Sequence, residues 1–98
     1  MQTEYLIAVD VFCANHNIEV SFISSLKKTG LIDLKIIEEI EFIDAGQLQQ
    51  LEKYVRFYYD LDINLEGIES ITHLLEKIKL LKDENTELRN RLSFYETE

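Results

Sequence analysis

The chain has 98 residues, 46% of them hydrophobic, with five Phe and five Tyr, which excludes a wholly disordered polypeptide and allows one small domain or a small domain plus a long helix. Nineteen acidic against ten basic residues leave a net charge of −9, a poor balance for nucleic acid, whose binding rests on Lys and Arg displacing counterions. One Cys cannot staple a fold, no apolar run approaches the roughly 20 residues of a membrane span, and "MQTEYLIAVDVF" lacks a secretion signal's basic segment. The expected setting is cytoplasmic, with no membrane.

In chain order, the first helix is predicted over about Val9 to His16, with Asn17 suited to a left-handed C-terminal position. A second runs from about Val20 to Thr29 and stops at Gly30, so two short helices meet at a tight turn as in a helix-turn-helix. Leu34–Ile43 holds four Ile and one Phe, with Glu38-Glu39 as the reversal point of a small hairpin. Simple alternation sets Ile36, Glu38, Ile40 and Phe42 on one face and Ile37, Glu39, Glu41 and Ile43 on the other. Asp44-Ala-Gly-Gln47 reads as a capping box, with the Asp accepting from a free N–H and the Gln reaching back. It opens a helix through about Tyr59, striped by Leu48, Leu51, Tyr54, Val55 and Tyr58. "DLDINLEGIES" breaks that helix, and Asn64 caps the next, with Glu66 in the first turn.

The last helix carries the strongest periodicity. With Ile71 at heptad position a, the a positions are Ile71, Ile78, Asn85 and Leu92, and the d positions are Leu74, Leu81, Leu88 and Tyr95. Seven of the eight are apolar, and one Asn at a is a common device for fixing register and strand number. A homodimeric coiled coil is therefore expected, against the alternative of one amphipathic helix lying on its own domain, towards which Leu75 broadens the stripe. The flank charges leave parallel and antiparallel pairing open. The domain division expected is 1–66 and 67–98.

Helix-turn-helix, small wing, capped helix and long coil, in that order, resemble the MerR-type regulators over nearly the whole chain. "NIEVSFISSLKKTGLI" looks like their recognition-helix segment. Within that superfamily, "YDLDINLEGIE" is similar to the CbpM-type chaperone modulators, whose pattern Asp60, Leu61, Ile63, Asn64, Leu65, Gly67 and Ile68 match. The fold this implies is mainly α: a MerR-like winged helix-turn-helix with a small β wing, followed by a long C-terminal coiled-coil helix, which MerR relatives pair antiparallel. The function it implies is inhibition of a DnaJ-like J-domain co-chaperone of the CbpA type, in competition with DnaK. A DNA-binding transcription regulator of the MerR type is the alternative.

The departures from the DNA-binding pattern favour the first function. MerR regulators usually offer an Arg and then a Tyr to the DNA backbone from the second helix, where this chain has Ser24 and Ser25. Their wing Arg falls at or near Glu41. In residues 1–50, Lys27, Lys28 and Lys35 stand against eight acids, which disfavours DNA as a partner. Glu38, Glu39 and Glu41 become the candidate partner-facing charges for a basic J-domain helix, although such a run also serves simply to keep a β edge soluble.

No other constellation carries chemistry. Cys13 and His16 share a helical face but lack a second ligand pair, so a buried Cys and a His at a helix end is the better reading. Asp60, Asp62 and Glu66 lack the twelve-residue calcium pattern and read as turn and cap residues. Tyr54, Phe57, Tyr58 and Tyr59 read as core more readily than as a ligand pocket. No phosphate loop or nucleophile–base pair is visible. No cofactor, metal or enzymatic activity is expected.

Overall fold

Residues 5–96 are described by the structure, a computed structural model. Strand β1 (Leu6–Ala8) leads directly into helix α1 (Val9–His16), which is followed by α2 (Val20–Thr29), β2 (Lys35–Ile37), β3 (Ile40–Asp44), α3 (Leu48–Val55) and α4 (Leu65–Glu96). The chain divides into two compact units, Met1–Ile68 and Glu69–Glu98, with the boundary inside α4. The architecture is mainly helical, a helix-turn-helix with a small sheet and a long C-terminal helix, as the sequence leads one to expect.

Both short helices end as their sequences dictate. Asn17 sits at φ 57° and Gly30 at φ 82°. The next amides reach back five residues, Ile18 N to Cys13 O and Leu31 N to Leu26 O, both at 3.0 Å. These bonds satisfy carbonyls that an α-helix end leaves unpaired. Phe12 and Cys13 of α1, with Phe22, Ile23 and Leu26 of α2, are buried together with Ile32, Ile43, Leu51, Tyr54 and Ile68 in one core.

The sheet has three strands, not the two of the expected hairpin. β1 pairs antiparallel with β3, Ile7 opposite Ile43, and β3 is the central strand. Three residues are too few to show alternation, so β1 is invisible until its partner is known. β2 and β3 close on a two-residue turn, with Ile37 opposite Ile40 and Glu38 and Glu39 at φ 50° and 69°. Positive φ at both central residues makes this the tight turn whose twist matches the strands. The turn also corrects the expected faces. Ile36 lies opposite Glu41 and so shares the face of Glu41 and Ile43, while Ile37 joins Ile40 and Phe42, because the two turn residues interrupt simple alternation.

Two further corrections concern α3. Asp44 Oδ1 accepts from Gly46 N at 2.9 Å, as expected of a cap. Gln47, however, does not close the box. It makes a two-point bond to the backbone of Asp33, accepting from its N–H at 3.0 Å and donating to its carbonyl at 2.9 Å. After Val55 the helix widens into a π-type turn, Arg56–Asp60, closed by Leu61 N to Arg56 O at 3.1 Å. The wider turn shifts the phase of the stripe. Leu51 and Tyr54 are buried and Phe57 packs against the core, while Tyr58, expected on the stripe, is exposed.

Asn64 caps α4, its Oδ1 accepting from Gly67 N at 2.8 Å. A Cβ on Gly67 would lie 2.7 Å from Ile63 Cγ2 and 3.1 Å from Asn64 Oδ1, so the cap closes only around a glycine. Ile68, one residue on, is fully buried. The Asn-Leu-x-Gly-Ile run thus has a local physical reason: it starts α4 and anchors its first turn in the core. No helix among the described residues is long and apolar enough to cross a membrane.

Candidate functional site: an acidic cleft between the wing and the helix-turn-helix

The β2–β3 hairpin is the wing, and a cleft of about 230 Å³ is lined by Glu39, Ile40 and Glu41 of the wing, Val9 and Asp10 at the start of α1, and Val20 at the start of α2. Three carboxylates therefore surround an aliphatic floor, and Val20 and Ile40 remain exposed as large apolar side chains. Of the acids expected to face a partner, the fold brings Glu39 and Glu41 into this cleft; Glu38, at the hairpin tip, is not among its lining residues. Asp10 and Val20 were missed by the sequence reading. Nothing local marks them, because they join the site only when β1, pairing with β3, sets the start of α1 beside the wing.

The electrostatics of this surface follow from two ion pairs. Lys27 Nζ of α2 lies 3.4 Å from Glu41 Oε2, and Lys35 Nζ lies 3.8 Å from Asp44 Oδ2. Glu41 can reach Lys27 because the register puts it on the sheet face that Ile43 buries. Of the three bases in residues 1–50, two are thus held by acids of the same hairpin. Exposed pairs of this kind contribute little to stability, but they remove free cationic charge from the surface. Lys28 stays exposed.

A model of the family described as MerR HTH family regulatory protein matches residues 7–90. The chain belongs to the MerR HTH family. No curated protein and no solved structure matches it. As a MerR-family chain it carries the helix-turn-helix in α1 and α2 and the wing in β2 and β3, so the acidic cleft lies where the two meet.

Other sequence candidates take ordinary places in this MerR-type unit. Cys13 is buried, and its thiol is pushed up by desolvation and, secondarily, by the charge of Asp10. His16 stacks on Phe12 with ring centroids 4.0 Å apart, its Nδ1 3.1 Å from Phe12 O and its Nε2 3.7 Å from Glu52. Among the described residues, no three metal-ligating side chains are gathered together. The aromatic group expected in the core is split: Tyr54 is buried and Phe57 half-buried, but Tyr58 and Tyr59 are 38% and 41% exposed.

On α4, the heptad residues Leu74, Ile78, Leu81, Asn85, Leu88, Leu92 and Tyr95 are all exposed, and Ile71 is half-buried. Glu87 and Arg91, one turn apart, pair at 3.5 Å on the polar side. The seam lies open along the single chain.

Proposed function

We propose that this MerR-family chain is a protein-binding modulator of the CbpM type, which docks the J-domain of a CbpA-like co-chaperone and blocks its productive interaction with DnaK. The observation that carries this reading is the cleft of Asp10, Glu39 and Glu41 around Val9, Val20 and Ile40, at the junction where Lys27 is held by Glu41. Such a surface repels phosphate and suits a cationic helix with aliphatic side chains between its bases. Complementary charge accelerates encounter, and the apolar floor sets the lifetime of the complex. The modulator works as a homodimer through the exposed seam of α4, without a catalytic step, and its division of labour is a winged unit at 1–66 and a pairing helix at 67–98.

The test titrates the purified chain with a CbpA-type J-domain from the same cell and, in parallel, with duplex DNA, over a series of salt concentrations. J-domain binding that weakens with salt, and that falls about tenfold at low salt in Glu39→Gln/Glu41→Gln, supports the reading. Absence of J-domain binding at low salt refutes it. The second reading, a DNA-binding regulator, draws on the family match and on exposed Lys28. Tight, sequence-selective DNA binding at physiological salt would establish it instead.

A further inference from the structure

A second cleft adjoins the start of α2, where Tyr59 is bonded to Glu19. It is an open concavity of about 340 Å³ lined by Tyr58, Tyr59, Asp62, Ile63 and Asn64. The π-type turn at Arg56–Asp60 creates it, because the extra residue in the turn carries Phe57 inward and leaves the two tyrosines outside. Turns of this kind are frequent at functional positions. The tyrosines are not loose. Phe22 of the core holds both, with ring centroids 4.5 Å from Tyr58 and 5.4 Å from Tyr59, and the two rings meet edge-on at 5.0 Å. Tyr59 Oη also accepts from Glu19 N at 3.2 Å. Rigid aromatic rings lose little freedom on binding, which is what a recognition surface needs.

Charge gives the cleft its preference. Asp62 lies on its wall in a left-handed backbone conformation, φ 59°, with Asp60 beside it, and neither pairs with a base among the described residues. No residue lining either cleft is basic. Both clefts adjoin the start of α2: Glu19 is bonded to Tyr59, and Val20, its neighbour in the chain, lines the wing cleft. Acidic and apolar side chains therefore line a cleft at the wing and another at the tyrosines, with the start of α2 adjoining both.

We propose that Tyr58, Tyr59 and Asp62 form an arginine-binding subsite, a second point of attachment for the basic polypeptide that docks at the wing. The guanidinium lies against a tyrosine ring and directs its charge to the Asp62 carboxylate, which combines a cation–π contact with a charge-assisted hydrogen bond. Arginine fits better than lysine, because its plane stacks on a ring while its edge still donates. This subsite rests on the reading of the chain as a J-domain modulator and extends its contact beyond the wing.

The experiment measures the affinity of the full chain for the CbpA-type J-domain in Asp62→Asn and Tyr58→Leu variants, beside Glu39→Gln/Glu41→Gln. Asn tolerates the left-handed conformation, so Asp62→Asn removes the charge without disturbing the turn and decides the matter even if Tyr58→Leu fails to fold. Asp62→Asn and Tyr58→Leu should each weaken binding about fivefold. Replacing the partner's surface arginines by lysine, one at a time, should reveal one position whose loss disappears in Asp62→Asn. If Asp62→Asn binds as tightly as the parent while the wing variant does not, the subsite is refuted and the wing reading stands. If the parent chain does not bind the J-domain, both fall. If Asp62→Asn alters the sedimentation of the chain alone, the cleft is a contact between copies and the subsite is refuted.

Discussion

At the residue scale, the start of α4 depends on one missing side chain. Gly67 donates to Asn64 Oδ1 and has Ile63 Cγ2 where its own Cβ would stand, 2.7 Å away. Alanine in place of glycine ordinarily favours a helix by about 1 kcal/mol. Here the neighbour is a β-branched methyl on a partly buried residue, which cannot swing aside cheaply, so the clash outweighs the propensity. Gly67→Ala should lower unfolding stability by about 1–2 kcal/mol in urea titration, and Asn64→Ala by about 1 kcal/mol. Because both substitutions damage the same cap, the double variant should lose less than their sum.

Cys13 makes a different kind of statement. Burial pushes its thiol up, with Asp10 adding to the effect, so the folded chain holds a proton that the unfolded chain releases at about pH 8.5. The stabilisation is complete below that value and is lost as pH rises towards the folded-state value. Parent and Cys13→Ala should therefore differ in stability by a constant amount up to about pH 8, and the difference should shrink at pH 10. Urea titrations at several pH values would read it. Alkylation of the thiol in the native chain should be correspondingly slow.

At the element scale, the wing is built on a turn its residues do not favour. Glu38 and Glu39 both occupy the left-handed region, where a two-residue hairpin of this twist prefers Asn-Gly. A left-handed backbone costs a non-glycine residue of this type about 1–2 kcal/mol. Glu38→Asn/Glu39→Gly should thus raise stability by about 1–2 kcal/mol, seen as a higher melting temperature. Under the proposed function the same variant binds the J-domain less well at low salt, since it removes one acid from the cleft. A gain in stability with a loss in binding would mark the turn as kept for its charge rather than its geometry. The helices α1 and α2 carry no such conflict. Their caps, Asn17 and Gly30, are residues that adopt left-handed geometry readily, so their limits were legible from composition and spacing.

At the scale of the whole molecule, α4 raises the question of what covers its seam. Leu74, Ile78, Leu81, Leu88, Leu92 and Tyr95 repeat at heptad spacing and are exposed along one chain. A row of apolar side chains this long is more than a lone surface helix ordinarily leaves in water. The expected outcome is a dimer whose melting temperature rises with protein concentration. Leu81→Glu/Leu88→Glu should give a monomer in analytical ultracentrifugation, with the Met1–Ile68 unit still folded by tryptic protection. A monomeric parent chain at micromolar concentration would contradict the dimer. Asn85 within the seam, if it meets an Asn85 across a dimer axis, should fix register at some cost, so Asn85→Leu should be more stable and less uniform in assembly.

The sequence by itself determined whatever depends on neighbours within about one turn of chain: the limits of α1 and α2, the Asn64 cap, the Glu38-Glu39 reversal, the heptad seam and the shortage of bases. Caps, turns and stripes are local, and their physics can be read along the chain. Only the tertiary structure decided the rest. β1 is a strand because β3 offers it a ladder. Gln47 abandons the capping box for Asp33, 14 residues away, and Lys27 spends its charge on Glu41 across the same separation. Tyr59 meets Glu19 over 40 residues, and a π-type turn moves Tyr58 off the stripe. Hydrogen bonds and ion pairs act over a few ångströms regardless of separation along the chain. The acids were therefore countable from the sequence, but the cleft they surround existed only after the strands had paired.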